Sequence, residues 1–326
     1  MNYISNIKKV ISYIYIEVIF LVYIKLESDE EYINNKSFFS KIFSILKNKI
    51  YKIRVELIDN KKMIIINNLE ENTLKKLSKY IQVNSVTRVC LSDNLFYNDF
   101  FKSYIINQNV KICDGKWLFK YLTKKCVNYI CFCKKEKIQN QKISILSNDI
   151  DKTVYYIINE MAKEVKAINV ISKNEKKFRK LEKELYSEYG IVLNMNNNYK
   201  RSLLKSDIII NLDFTNDEVN RYIIDDNTCL INMSSKNIEI NSKTFNGIII
   251  NSYEISFPNK YIKSLIFFKG FNIQVLYESF IYKNTSPNNI KKELYDDNIN
   301  IVSLIGKYNK IRKSEFYKTE KEVKNK

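Results

Sequence analysis

Between Lys142 and Leu212 the chain alternates short apolar runs with helix-period segments, and this alternation constrains the fold more than any other feature. Lys142–Leu146, Ala167–Ile171, Ile191–Met195 and Asp207–Leu212 read as strands, rich in Ile, Val and Leu. Lys152–Glu164 separates the first pair, with Val154, Ile157, Ile158 and Met161 recurring at helical spacing. Glu175–Tyr189 is a charged helix closed by Gly190, which suits a left-handed cap. Tyr199–Leu204 is expected to be a short helix, and Cys229–Met233 and Gly247–Ile250 to be further strands. Near-continuous apolar strands separated by helices imply a parallel sheet covered on both faces.

The flanking regions set the domain organisation. Before residue 138, Ile53–Ile58 and Met63–Ile66 are joined by the polar turn Asp59-Asn60-Lys61-Lys62, a hairpin signal. A helix at Glu70–Ile81, a strand at Val86–Leu91, a helix at Tyr97–Asn107, a strand at Val110–Cys113 and a helix from Lys116 to about Ile130 follow. After residue 270, Ile273, Leu276, Phe280 and Ile281 share one helical face, and Pro287 suits the first turn of another helix behind Ser286. Asn300–Ile311 reads as a helix-like ending. The expected division is an N-terminal α/β domain over 1–137, a parallel α/β domain over 138–270, and C-terminal helices with a basic tail over 271–326.

Ligands of such sheets lie at the carboxyl ends of the strands. The turn after the first strand of the second region is Ser147-Asn148-Asp149-Ile150-Asp151-Lys152. A G-x-G-x-x-G turn lets the backbone approach a pyrophosphate. Here the three glycine places hold Ser147, Asp149 and Lys152, whose side chains crowd the phosphates, and the Asp149 charge repels them. In the first region the corresponding junctions carry Ser92-Asp93-Asn94 and Asp114-Gly115-Lys116-Trp117. Asp114 and Lys116 are the candidate pair for proton handling, while Ser, Asp and Asn also serve as ordinary helix caps and Trp117 as a packing residue.

With these pieces in order, the second region resembles the cofactor domain of shikimate dehydrogenases and glutamyl-tRNA reductases. The stretch after the second strand, Val170–Leu185, has Ser172-Lys173-Asn174 at the place of the Asn-Arg-Thr that meets the adenosine ribose in those families. The fourth strand, Asp207-Ile208-Ile209-Ile210-Asn211, is similar to their Asp-apolar-apolar-apolar-Asn motif. The resemblance covers about 110 residues and implies a Rossmann-like domain. It places the cofactor over Ser147, Asn148 and Asp149, near Ser172, Lys173, Asn174 and Asn211. A cation without an acidic residue after the second strand suits the 2′-phosphate of NADP. The Asn-Val-Thr-x-Pro-x-Lys stretch that supplies the catalytic lysine of shikimate dehydrogenases is absent, so no catalytic residue carries over.

Composition excludes more chemistry than it suggests. The chain of 326 residues contains no histidine, so no Ser-His-Asp triad and no His-ligated metal site can form. Its net charge of +18 is built on abundant lysine, beside abundant Ile, Asn and Tyr and only two alanines, Ala162 and Ala167. That bacterial-type pattern follows from strong A/T codon bias, which explains much of the charge without a nucleic-acid partner. The six cysteines, Cys90, Cys113, Cys126, Cys131, Cys133 and Cys229, lack dense or zinc-like paired spacing and read as buried reduced thiols. Val10–Ile24 is an apolar run interrupted by Glu17 and shorter than the ~20 residues of a membrane span, so it reads as a strand of a soluble, cytoplasmic protein.

Three functional readings follow. One is a nucleotide-binding protein, with NADP as cofactor and hydride transfer as the reaction class. The second is a degenerate Rossmann scaffold without cofactor, acting as a pseudoenzyme in regulation or protein interaction. The third is a basic nucleic-acid binder, for which the eight Lys/Arg against three Glu from Lys307 onward are the local evidence. The first turn discriminates the leading two. Free backbone N–H groups at Asn148 and Ile150 favour nucleotide binding, whereas an Asp149 carboxylate that caps its own helix favours the scaffold.

Overall fold

The computed structural model describes residues 21–29, 52–242, 244–282 and 286–316. The chain divides into two compact units, one made of residues 1–114 and 259–286, the other of 115–258 and 287–326. The sequence reading draws its boundaries at 137/138 and 270/271; the units are cut at 114/115, 258/259 and 286/287.

The first unit is built on a five-stranded sheet of β1 (Leu21–Leu26), β2 (Ile53–Ile58), β3 (Lys61–Ile66), β4 (Arg88–Leu91) and β5 (Lys111–Ile112), in the order β2-β3-β1-β4-β5. Only β2 runs antiparallel to its neighbour. The β2–β3 hairpin turns on two residues, not four. Asp59 and Asn60 both adopt left-handed backbone, at φ 47° and 62°, which matches the twist of the strands and which Asp and Asn tolerate. α1 (Glu71–Val83) buries Thr73, Leu74, Leu77 and Ile81. Leu74, Leu77 and Ile81 share a core with Val22, Ile24, Ile64 and Ile66 of the sheet. Short α2 (Asp93–Phe96) and α3 (Asp99–Ile106) follow β4. Of the apolar run Val10–Ile24, Leu21–Ile24 lies in β1 and residues 10–20 fall outside the described residues.

The second unit holds a six-stranded, wholly parallel sheet. Its strands are β6 (Ile143–Leu146), β7 (Ala167–Ile171), β8 (Val192–Met195), β9 (Ile208–Asn211), β10 (Cys229–Asn232) and β11 (Ile248–Ile250). They lie in the order β8-β7-β6-β9-β10-β11. Counted from the first strand this is 3-2-1-4-5-6, the doubly wound Rossmann order, with its switch point between β6 and β9. The fold class expected from the sequence is therefore the one observed. β9 explains the apolar strands: Ile208, Ile209 and Ile210 are each 0% exposed, and burying such a side chain stabilises by about 1.5–3 kcal/mol.

Helices α4 (Lys116–Tyr121) and α5 (Thr123–Lys134) belong to this unit, and Leu122 at φ −93°, ψ 5° breaks what the sequence presents as one helix. α6 (Lys152–Ala162) joins β6 to β7, and α7 (Glu175–Tyr189) joins β7 to β8, ending on Gly190 at φ 66° as expected. Two expectations fail. Residues 199–204 form turns rather than a helix, because the side-chain oxygens of Asn196 and Asn198 take the amides of Asn198 and Lys200 and turn the backbone. The helix-like ending is instead strand β13 (Ile301–Ile305), paired antiparallel with β12 (Ser252–Ile255). Short α8 (Asn216–Val219) follows β9, α9 (Ile262–Leu265) and α10 (Ile273–Ile281) complete the first unit, and α11 (Pro287–Asp296) starts at its proline as expected.

Candidate functional site

The carboxyl edge of the second sheet gathers the residues singled out in the sequence. β6 ends at Leu146, and Ser147-Asn148-Asp149-Ile150-Asp151 carries the chain into α6. In a phosphate-binding turn the amides here stay available to the ligand. In this protein carboxylates of the chain take those of Asn148 and Ile150. The Asn148 N–H donates to Asp213, at 2.8 Å from Oδ1 and 3.1 Å from Oδ2. The Ile150 N–H donates to Asp149 Oδ1 at 2.7 Å. Asp151 Oδ1 accepts from Thr153 and Val154 at 2.8 and 2.7 Å, capping α6. The Ser147 N–H is spent on the Ile171 carbonyl at 3.1 Å.

The side chains close the turn further. Ser147 is fully buried, its Oγ 2.8 Å from the Asp149 carbonyl and 3.2 Å from Asp213 Oδ2. Lys177 donates to Asp149 Oδ2 at 2.8 Å and, with the Ile150 amide, holds that carboxyl below its ordinary pKa. Asp213 is exposed as a residue, but desolvation of its carboxyl against the loop pushes it the other way, up from the ordinary carboxylate value, against the lowering effect of the Asn148 amide and the Ser147 hydroxyl.

After β7, Ser172 is buried and its Oγ accepts the Asn174 N–H at 3.0 Å. Asn174 Nδ2 donates to the Asn148 carbonyl at 3.1 Å, so the β7 turn is laced to the β6 turn. The Lys173 ammonium is ion-paired with Glu218. Burial disfavours ionisation of Glu218, but Lys173, the Thr215 amide and the Thr215 hydroxyl overcome it and hold the carboxyl below its ordinary value. Thr215 and Glu218 form a reciprocal capping box on α8. The cation that the resemblance aims at a 2′-phosphate is thus already neutralised.

Asn211 is fully buried, with Nδ2 on the Phe214 carbonyl at 2.9 Å and Oδ1 on the Phe214 amide at 2.9 Å. It turns the chain after β9. It also begins an asparagine ladder that sequence reasoning did not foresee. Asn211 Nδ2 reaches Asn232 Oδ1 at 3.1 Å, and Asn232 Nδ2 reaches Asn251 Oδ1 at 2.8 Å. The signal was present, since Ile208–Asn211, Cys229–Asn232 and Ile248–Asn251 each close an apolar run on Asn. Parallel register then sets the three side by side. Lys116 Nζ caps two strand-end carbonyls, Asn232 at 3.0 Å and Asn251 at 2.6 Å. Asp114 is half-buried just beyond β5 and belongs to the first unit, whereas Lys116 belongs to the second.

One hydrogen-bonded network therefore unites Ser147, Asn148, Asp149, Ser172 and Asn174, with Lys173 tied to Glu218 and with Asn211 and Lys116 in the ladder. Asp213 and Glu218 are the residues the sequence did not reveal. As they stand, these residues fit a dinucleotide pyrophosphate poorly, because the Asn148 and Ile150 amides are held by Asp213 and Asp149 and those carboxylates stand in the turn. All six cysteines are buried and free. Burial raises the thiols of Cys90, Cys113, Cys126 and Cys229, and pushes Cys131 to about 11, so none of these offers a thiolate near neutral pH. Among the described residues no cluster of three or more His, Cys, Asp or Glu is arranged to hold a metal, and no helix is long and apolar enough to cross a membrane.

No family model and no curated protein matches the chain. Solved structures that resemble it include Δ1-pyrroline-2-carboxylate reductase of Thermococcus litoralis, in complex with NADH and L-proline. That match has 16% identity and a TM-score of 0.24, covers 35% of this chain, and spans little more than a third of the reductase, 36%. L-tryptophan dehydrogenase of Nostoc punctiforme matches at 12% identity, 86% and 80% coverage and a TM-score of 0.30. Shikimate 5-dehydrogenase of Listeria monocytogenes, in complex with shikimate and NAD, matches at 10% identity, 66% and 78% coverage and a TM-score of 0.24. Aspartate carbamoyltransferases also stand among the matches. Likeness at this level carries no argument about activity, and the Rossmann-like fold rests on the strand order itself.

Proposed function

We propose that the protein is a Rossmann-like scaffold that acts as a regulatory or protein-interaction module, without dinucleotide chemistry. The observation that carries this reading is the Asn148 N–H held by both oxygens of Asp213, at the position where a cofactor phosphate takes an amide. A diphosphate entering here has to displace that carboxylate and lie beside Asp149 and Glu218. The repulsion between like charges at this range opposes entry, and it falls chiefly on Asp213, since Asp149 and Glu218 are each ion-paired. Of the nearby cations, Lys173 and Lys177 already hold Glu218 and Asp149, and Lys120 acts on Asp213 itself.

A second reading is binding of a nicotinamide nucleotide, NADP by preference, with Asp114 and Lys116 as proton handlers of an oxidoreductase. The 3-2-1-4-5-6 strand order favours it, since it places a crevice at the β6/β9 switch point. In that reading Asp213 swings out and Lys173 leaves Glu218 for the 2′-phosphate.

Thermal unfolding of the whole chain with and without about 1 mM NAD or NADP separates the two, because a ligand of the folded state must stabilise it. The scaffold reading expects no shift with either nucleotide, checked by calorimetric titration. Stabilisation of the wild-type chain by NADP more than by NAD sinks it and supports the second reading.

A further inference from the structure

The outer edge of the first sheet carries a self-complementary strand. β2 is the edge strand next to β3, and among the described residues no strand pairs with its other side. Its sequence Ile53-Arg54-Val55-Glu56-Leu57 has opposite charges placed symmetrically about Val55 and aliphatic residues at the centre and both ends. Val55 is 44% exposed and Leu57 69% exposed, a costly arrangement for two aliphatic side chains on a sheet edge.

Hydrogen-bond parity decides which residues are available. The Lys52 carbonyl accepts from the Asn67 amide, so the even-numbered residues of β2 direct their main-chain groups toward β3. Ile53, Val55 and Leu57 direct their N–H and C=O groups outward. Antiparallel pairing of β2 with β2 of a second copy, centred on Val55, makes three hydrogen-bonded residue pairs: Val55 with Val55, and Ile53 with Leu57 twice. Each pair exchanges two bonds, so about six main-chain hydrogen bonds form.

The same register sets the side chains. Arg54 falls opposite Glu56 of the second copy, and Glu56 opposite its Arg54, in the closer, non-hydrogen-bonded positions where cross-strand charge pairs act most strongly. Within one chain Arg54 Nε already lies 2.8 Å from Glu56 Oε1 and its Nη1 3.9 Å from Glu27 Oε1, so Arg54 and Glu56 share a face and pairing sets each Arg54 beside a second Glu56. A shift of the register by two residues places Arg54 against Arg54 or Glu56 against Glu56, and repulsion disfavours both.

We propose that two copies of this chain associate through β2, forming a two-fold dimer with a continuous ten-stranded sheet. The interface is small, so association belongs in the range of tens of micromolar protein.

Light scattering after size exclusion tests it on the full chain at that concentration. The wild type is expected near 78 kDa, twice the 38.9 kDa chain. Glu56→Arg sets two arginines against each other across the two-fold and is expected to weaken association at least tenfold. The double change R54E/E56R restores opposite charges across the two-fold and is expected to restore the dimer, even if the single variant melts earlier. A monomeric wild type, a dimer indifferent to Glu56→Arg, or a double variant that stays monomeric each overturns the proposal.

Discussion

The Asn148 amide and the Asp213 carboxylate meet at 2.8 and 3.1 Å, and through this contact the chain seals the turn where a Rossmann domain presents its amides to phosphate. The two residues are 65 positions apart. β6 and β9 pair in parallel with Leu146 opposite Asn211, so the residues just beyond those two ends must face one another. Seal and switch point are one place.

Replacing Asp213 with Ala strips the acceptor from Asn148 and from Ser147. Hydrogen bonds to a charged group contribute about 1.5–3 kcal/mol when shielded, and Asp213 keeps an exposed surface, so a loss of about 1 kcal/mol is expected in urea unfolding. On the scaffold reading the wild type binds neither inorganic phosphate nor NADP, and Asp213→Ala is expected to gain measurable binding of one of them. Unchanged stability would show that the amide finds water just as readily.

Asn232 is the centre of the ladder and is fully buried. Its side chain accepts from Asn211 and from Ser234, and donates to Asn251 and to the Lys236 carbonyl. Asn232→Leu leaves several buried polar groups without partners, each costing about 1–3 kcal/mol. A destabilisation of at least about 3 kcal/mol is expected, well beyond that of a surface change. Chemical denaturation monitored by circular dichroism measures it.

Acid should loosen the second unit through its paired carboxylates. Glu160 is 5% exposed; burial opposes its ionisation, yet hydrogen bonds from Lys163 and Lys291 prevail and hold it below the ordinary 4.5. A carboxyl with a lowered folded-state pKa contributes stability that is present above its unfolded value and is lost as pH falls through the folded one. Glu218, Glu254 and Asp149 act in the same direction, and Asp213, whose pKa is raised, acts against them. The melting temperature is therefore expected to fall as pH drops from about 5 toward 3. Glu160→Gln should be less stable at neutral pH and show a shallower fall, which calorimetry over that range checks.

The limits of sequence legibility are local ones. The central strands of the second sheet were readable because burial on both faces favours Ile, Val and Leu, as in Ile208–Ile210. Gly190 was readable because a left-handed cap favours glycine. Residues 199–204 were not, because Asn196 and Asn198 offered the backbone turn bonds that helix periodicity does not register. β13 was not, since its partner β12 lies some fifty residues earlier and pairing decides between strand and helix for so short an apolar run.

At the site the division is sharper. The sequence by itself determined that three glycines are missing after β6, that no histidine chemistry exists, and that Ser147, Asp149, Ser172, Lys173 and Asn211 sit at strand ends. Only the tertiary structure decided what those residues do. Parallel register brought Asp213 to Asn148 and Asn232 between Asn211 and Asn251, and the start of α8 brought Glu218 to Lys173. Which strand ends become neighbours is a property of strand order, and strand order is set by how the helices cover the whole sheet, which no local pattern of residues encodes.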